Sequence, residues 1–141
     1  MKTRMISKSL LETAQFAEEI AKKLTPGTLI ALYGTMGSGK TTFAKGIISF
    51  LTEIQEETIT SPTFTYMHLY ETKTKDVVCH FDLYRLNNSE DFLMAGFEEY
   101  LHAPYITLIE WPERIEDLLI MPHKKIVLSV IDEETRSFSC S

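Results

Sequence analysis

Residues 34–41, Gly34-Thr35-Met36-Gly37-Ser38-Gly39-Lys40-Thr41, follow the pattern G-x-x-x-x-G-K-[ST] without a departure. A polyphosphate held by this loop must lie within hydrogen-bonding distance of several consecutive backbone N–H groups, here those around Gly37, Ser38 and Gly39. Glycine leaves that approach open and permits the positive φ angles that a backbone nest needs. A helix beginning near Lys40 would aim its unpaired N–H groups and positive dipole end at the anion. In this arrangement Lys40 reaches the β- and γ-phosphates as a charge, Thr41 offers its hydroxyl to Mg²⁺, and Thr42 lies near the α-phosphate. The motif specifies a ligand class and not a reaction, since NTPases, kinases and switches all use it.

The reaction depends on residues further along. Mg²⁺ takes one or two protein oxygens and keeps several waters, so an acid at a strand end is required. "ITLIE" delivers Glu110 to such a place if its strand runs parallel beside the one before the loop. "VVCHFDLY" sets Val78, His80, Asp82 and Tyr84 on one face by strand alternation, with Val77, Cys79, Phe81 and Leu83 on the other. Asp82 there either orients a water or spends itself on a salt bridge to Arg85 or a hydrogen bond with His80. Spacing alone does not decide which acid holds the metal. In "TSPTFTY", Pro62 biases Ser61 toward an extended backbone. The segment reads either as a loop presenting Ser61 and Thr63 to a γ-phosphate or as the plain beginning of a strand. Trp111 is either an ordinary packed aromatic or a lid beside the nucleotide. His68, His102 and His123 are isolated, and no two have zinc-ligand spacing.

Elements that position these groups are visible in the hydropathy pattern. "SLLETAQFAEEIAKKL" predicts a helix with a Leu10, Ala14, Ala17, Ala21, Leu24 stripe and a capping box at Ser9 and Glu12. Pro26-Gly27 ends it. "TLIALYG" predicts a strand buried on both faces, and the helix after the loop carries Phe43, Ile47 and Phe50 on one side. "FTYMHLYE" and "VVCHFDLYRL" predict a hairpin around "TKTKD". "NSEDFLMAGFEEYL" predicts a short helix capped by Asn88 or Ser89. "YITLIEW" is a further apolar strand, and "KKIVLSVID" and "RSFSC" predict two more around "EET". The pattern is one α/β domain, residues 1–141, with some antiparallel content.

Composition narrows the partners. The 141 residues hold 44% hydrophobic and 24% charged side chains, ordinary for a globular domain, with no apolar run of membrane-spanning length. Cys79 and Cys140 form no Cys-x-x-Cys pair and are expected to be free thiols in a reducing cytoplasm. A net charge of −6 with only Arg4, Arg85, Arg114 and Arg136 argues against stable direct binding to nucleic acid.

The succession "GTMGSGKTT", "SPTFTY", "HFDLYRL", "GFEEYL" and "IEWPER" resembles the TsaE (YjeE) family, from about Thr13 to Arg136. These are small bacterial P-loop ATPases required for threonylcarbamoyladenosine modification of tRNA at the adenosine next to the anticodon. The resemblance implies a P-loop NTPase-like three-layer α/β sandwich with a mixed central sheet and antiparallel flanking strands. It implies Thr41 and Glu110 as the Mg²⁺ positions, Asp82 as the acid needed for hydrolysis or positioning, and residues 61–64 as a switch-like loop. It also implies Trp111 near the nucleotide and adenine-side contacts around Thr13 and Arg136. ATP and Mg²⁺ are the implied cofactors. The implied activity is a weak ATPase acting with the TsaD–TsaB complex, with tRNA held by those partners. Thr35 departs from the acid that the family often carries after the first P-loop glycine, a position that contributes backbone and not charge. A small-molecule phosphotransferase and a non-hydrolysing, nucleotide-gated interaction module are the rival readings.

Overall fold

The computed structural model describes residues 2–141. Its centre is the apolar run before the glycine loop, strand β2 (Leu29–Tyr33), after the edge strand β1 (Thr3–Ser7). Leu29, Ile30, Ala31 and Leu32 are all buried, because parallel strands flank β2 on both sides and helices cover both faces. The other strands are β3 (Met67–Glu71), β4 (Val77–Asp82), β5 (Ile106–Glu110), β6 (Lys124–Val130) and β7 (Arg136–Cys140). Together they form one seven-stranded sheet in the order β1-β7-β6-β2-β5-β4-β3. The four central strands are parallel; β3 at one side and β7 at the other run opposite to them, and β1, antiparallel to β7, returns to the central direction. This is the mixed sheet of a P-loop NTPase-like fold.

Two helices cover one face, α1 (Leu10–Ala21) and α2 (Lys40–Thr52). They sandwich Phe16, Phe43 and Phe138, whose ring centroids lie 5.1–5.6 Å apart. The helices cross where Ala17 meets Gly46, and a Cβ added to Gly46 would stand 3.0 Å from that of Ala17. The opposite face is covered by α3 (Ser89–Met94) and by 3₁₀ turns at Glu98–Leu101 and Pro112–Leu118. Phe92, Leu101, Ile115 and Leu119 pack there on Cys79, Phe81 and Leu83 of β4 and its extension.

Several expectations require correction. The α1 stripe is Thr13, Phe16, Ala17 and Ala21, while Leu10 is 79% exposed and Ala14 is also on the surface. Burying the Phe16 ring against two other phenylalanines removes more apolar area than burying Leu10 and Ala14 would, and this sets the rotation of the helix. The helix also stops at Ala21, before Pro26-Gly27. The capping box is real but offset: Ser9 accepts from Glu12 N, whereas Glu12 returns its bond to Lys8 N. The helix predicted over residues 88–101 is divided at Gly96, which takes φ +79°. The strand predicted from Phe64 begins only at Met67. Strand β1 was not expected at all. Both cysteines are free thiols, and burial pushes the Cys79 thiol well above its usual range. Among the described residues no helix is long and apolar enough to cross a membrane.

Candidate nucleotide site

Parallel pairing in register brings the chemistry together. Leu32, Glu110 and Asp82 are Cα partners across β2, β5 and β4, so both acids leave the sheet at the same C-terminal edge from which the glycine loop springs. That edge is where open α/β sheets bind ligands.

Gly34 opens the loop in a conformation that admits no side chain. A Cβ there would lie 2.5 Å from Ser38 Oγ and 2.7 Å from the carbonyl oxygen of Leu128. The Leu128 carbonyl belongs to β6 and cannot retreat. Gly34→Ala is therefore expected to destabilise the fold by roughly 2–3 kcal/mol, read as a lower urea midpoint at unchanged m. A midpoint equal to the parent's would contradict the packing described.

Helix α2 begins at Lys40 with Gly39 as its N-cap at φ +102°, and no side chain accepts from its first N–H groups. The other two α-helices are closed by Ser9 and Asn88, each accepting from a backbone N–H. Phe43 N is the first amide to bond back, to Gly39 O at 2.9 Å. The open N-terminus thus faces the cleft with unpaired donors and the positive end of its dipole. Ser38 Oγ is buried there without a partner.

The Lys40 side chain is buried and forms no ion pair among the described residues. Its ammonium donates to the Gly34 carbonyl and lies 3.6 Å from the ring centroid of Trp111. Burial lowers the Lys40 pKa, opposed by the nearby carboxylates of Glu113, Glu110 and Asp82. Trp111 takes φ +59° immediately after β5, which turns its indole back toward the loop and against Tyr84.

Thr41 Oγ1 donates to Glu110 Oε1 at 2.5 Å, and the other carboxylate oxygen, Oε2, is 2.7 Å from His80 Nε2. Asp82 Oδ2 accepts from Thr63 Oγ1 at 2.9 Å and Ser61 Oγ at 3.2 Å, and Asp82 Oδ1 accepts from Tyr84 N at 3.1 Å. Neither suggested partner of Asp82 is the real one: His80 bonds Glu110, and the Arg85 guanidinium stacks 4.3 Å from the ring centroid of Phe64. Register explains the first. His80 sits opposite Leu108, so Glu110 is its diagonal neighbour on the same face.

The cleft, about 400 Å³, is lined by residues 35–42 together with Ser61, Thr63, Asp82, Glu110 and Trp111. A second cleft of about 580 Å³ shares Gly37, Ser38, Gly39 and Thr42 with it and is lined beyond them by Thr13 and Arg136. Thr13 Oγ1 is engaged with Ser7 Oγ at 2.6 Å, and Arg136 donates to the carbonyl of Asp132 at 2.7 Å, bracing the β6–β7 turn. All the site residues expected from sequence therefore line one or other of two clefts that share the glycine loop. Missed were His80, Tyr84 and Arg85. The signal for His80 was present, a histidine two residues before Asp82 in an otherwise apolar strand.

The residues fit a nucleotide and its metal. An uncapped helix end, an ammonium without a carboxylate partner and a glycine cradle suit a polyphosphate. A hydroxyl beside a carboxylate is a hard-oxygen pair suited to Mg²⁺. Among the described residues no three His, Cys, Asp or Glu side chains cluster into a metal cage, and Mg²⁺ needs none.

Comparison with known proteins gives a consistent result. The family model described as threonylcarbamoyl adenosine biosynthesis protein TsaE matches residues 7–138. The chain is 39% identical to the tRNA threonylcarbamoyladenosine biosynthesis protein TsaE of Rickettsia felis, over 89% of its own length and 71% of that protein's. For the Treponema pallidum protein of the same name, identity is 35%, over 96% and 98% of the two chains. For the Bacillus subtilis protein it is 33%, over 91% and 78%. Among solved structures, a crystal structure of Bacillus subtilis YdiB superposes with a TM-score of 0.78 at 28% identity, over 99% of this chain and 84% of that one.

Proposed function

The chain belongs to the TsaE family of tRNA threonylcarbamoyladenosine biosynthesis, and from that premise we propose that it is an ATP-binding, ATP-hydrolysing accessory factor. It acts with the TsaD–TsaB complex in the cytoplasm, and the tRNA is held by those partners, in keeping with a net charge of −6. The observation that carries this reading is the juxtaposition of the uncapped α2 N-terminus and Lys40 with two strand-end acids, Glu110 and Asp82.

In this reading the N–H groups of Gly37, Ser38, Gly39 and the first turn of α2 grip the phosphates. The Lys40 ammonium leaves the Gly34 carbonyl for the β- and γ-phosphate oxygens. Thr41 and Glu110 would hold Mg²⁺, which when bound would supply positive charge beside the phosphates. Ser61 and Thr63 turn from Asp82 toward the γ-phosphate, ordering the loop. Asp82, so released, orients the attacking water. Thr13 and Arg136 border the nucleoside end.

Phosphate release measured with the chain alone and with TsaD and TsaB tests the proposal. A rise on adding partners is expected. A second reading, a nucleotide-gated module that does not hydrolyse, draws on one observation: both Asp82 oxygens are already engaged by hydrogen bonds. No phosphate release under any partner combination, with binding intact, would favour it.

A further inference from the structure

We propose that His80 is a positioning residue for the metal-binding carboxylate: its ring locks Glu110 in the orientation that presents Oε1, with Thr41, to a divalent cation. This rests on the nucleotide reading above.

His80 is fully buried, and its one polar contact is Glu110 Oε2 at 2.7 Å. Its other nitrogen, Nδ1, is buried without a partner. A carboxylate only accepts hydrogen bonds, so Nε2 carries the shared proton. The neighbours across β5 and β2 are Leu108 and Ile30, both buried and apolar, and across β3 stands the half-buried His68, which makes no hydrogen bond to it. Stability alone would place an apolar side chain at this point, because a buried imidazole with one orphaned nitrogen weakens a core. What the histidine supplies is a rigid donor on a strand, aimed at the oxygen of Glu110 that Thr41 does not touch. A glutamate has three rotatable side-chain bonds, and with Thr41 and His80 on its two oxygens the free carboxylate is confined to one pose before any cation arrives. Partners of metal ligands typically change metal affinity about 10–100-fold when removed.

The experiment is calorimetric titration of the full chain with a non-hydrolysable ATP analogue, once in excess Mg²⁺ and once in EDTA. The ratio of the two Kd values measures the metal linkage. His80→Phe keeps the ring's bulk and removes the donor. It is expected to reduce the ratio about 10-fold or more while leaving the EDTA value within about twofold, since the phosphate cradle is untouched. His80→Gln, whose amide N–H reaches about as far, restores most of the ratio. Should His80→Phe fail to fold, His80→Asn, too short to reach Glu110, serves with the same expected loss. A parent with strong linkage and a variant with equal linkage overturns the His80 assignment alone. Equal loss of affinity with and without Mg²⁺ also overturns it, indicating a purely structural role. A parent that binds the analogue under neither condition overturns the nucleotide reading, and the His80 assignment falls with it.

Discussion

Lys40→Ala is expected to weaken ATP binding by about 100-fold or more, because charge-assisted hydrogen bonds to two phosphates contribute roughly 1.5–3 kcal/mol each. The loss is large because nothing else in the cleft substitutes for the ammonium: Arg136 braces a turn, and Arg85 is stacked on Phe64. Calorimetry with ATP and Mg²⁺ measures it, and an affinity within about threefold of the parent's would remove Lys40 from the site. The same change is expected to leave thermal stability equal or higher. The buried ammonium has no carboxylate partner, and burial already lowers its pKa. The sign follows from linkage. A lysine titrating lower in the folded chain than in the unfolded one means that the unfolded chain binds more protons, so stability rises with pH through that interval. The penalty is complete below the folded pKa and vanishes as pH climbs toward the ordinary lysine value of 10.5. A melting temperature that falls in Lys40→Ala would show instead that the Trp111 and Gly34 contacts outweigh desolvation.

Asp82→Ala is the second large effect, and it separates turnover from binding. The carboxylate lies on the same sheet edge as Glu110 but touches only Ser61, Thr63 and the Tyr84 amide, so the phosphate cradle survives its removal. Hydrolysis in the presence of TsaD and TsaB is expected to fall by about 10²–10⁴, the range for losing a group that positions or accepts a proton. ATP affinity should move by no more than about threefold. Asp82→Asn refines the result, because its amide oxygen still accepts from Tyr84 N while its NH2 group can donate to the Ser61 and Thr63 hydroxyls, keeping the loop's anchorage without basicity. Parent-like turnover in both variants would exclude Asp82 from the reaction.

The parts of this molecule that a reader of the sequence can find are those whose meaning is local. The glycine loop works through contiguous backbone, so residues 34–42 announce it in order. β2 and β5 are buried on both faces and therefore spelled mostly in apolar residues, Thr107 and the strand-end Glu110 excepted. What stayed hidden depends on distant partners. Strand β1 has a mostly exposed burial pattern and exists through its pairing with β7, more than a hundred residues away. The rotation of α1 was decided by Phe43 and Phe138, not by its own stripe. The choice of Glu110 over Asp82 as the partner of His80 came from the register between parallel strands, which no spacing within β4 encodes.

The placement of Trp111 has one more consequence. It is the only indole in the chain, and the Lys40 ammonium lies over its face. Whatever draws that cation away alters the electric field on the single strong chromophore, so the molecule carries its own dye. Occupancy of the cleft is therefore expected to change tryptophan emission, measurable without a label and in the presence of any tryptophan-free competitor.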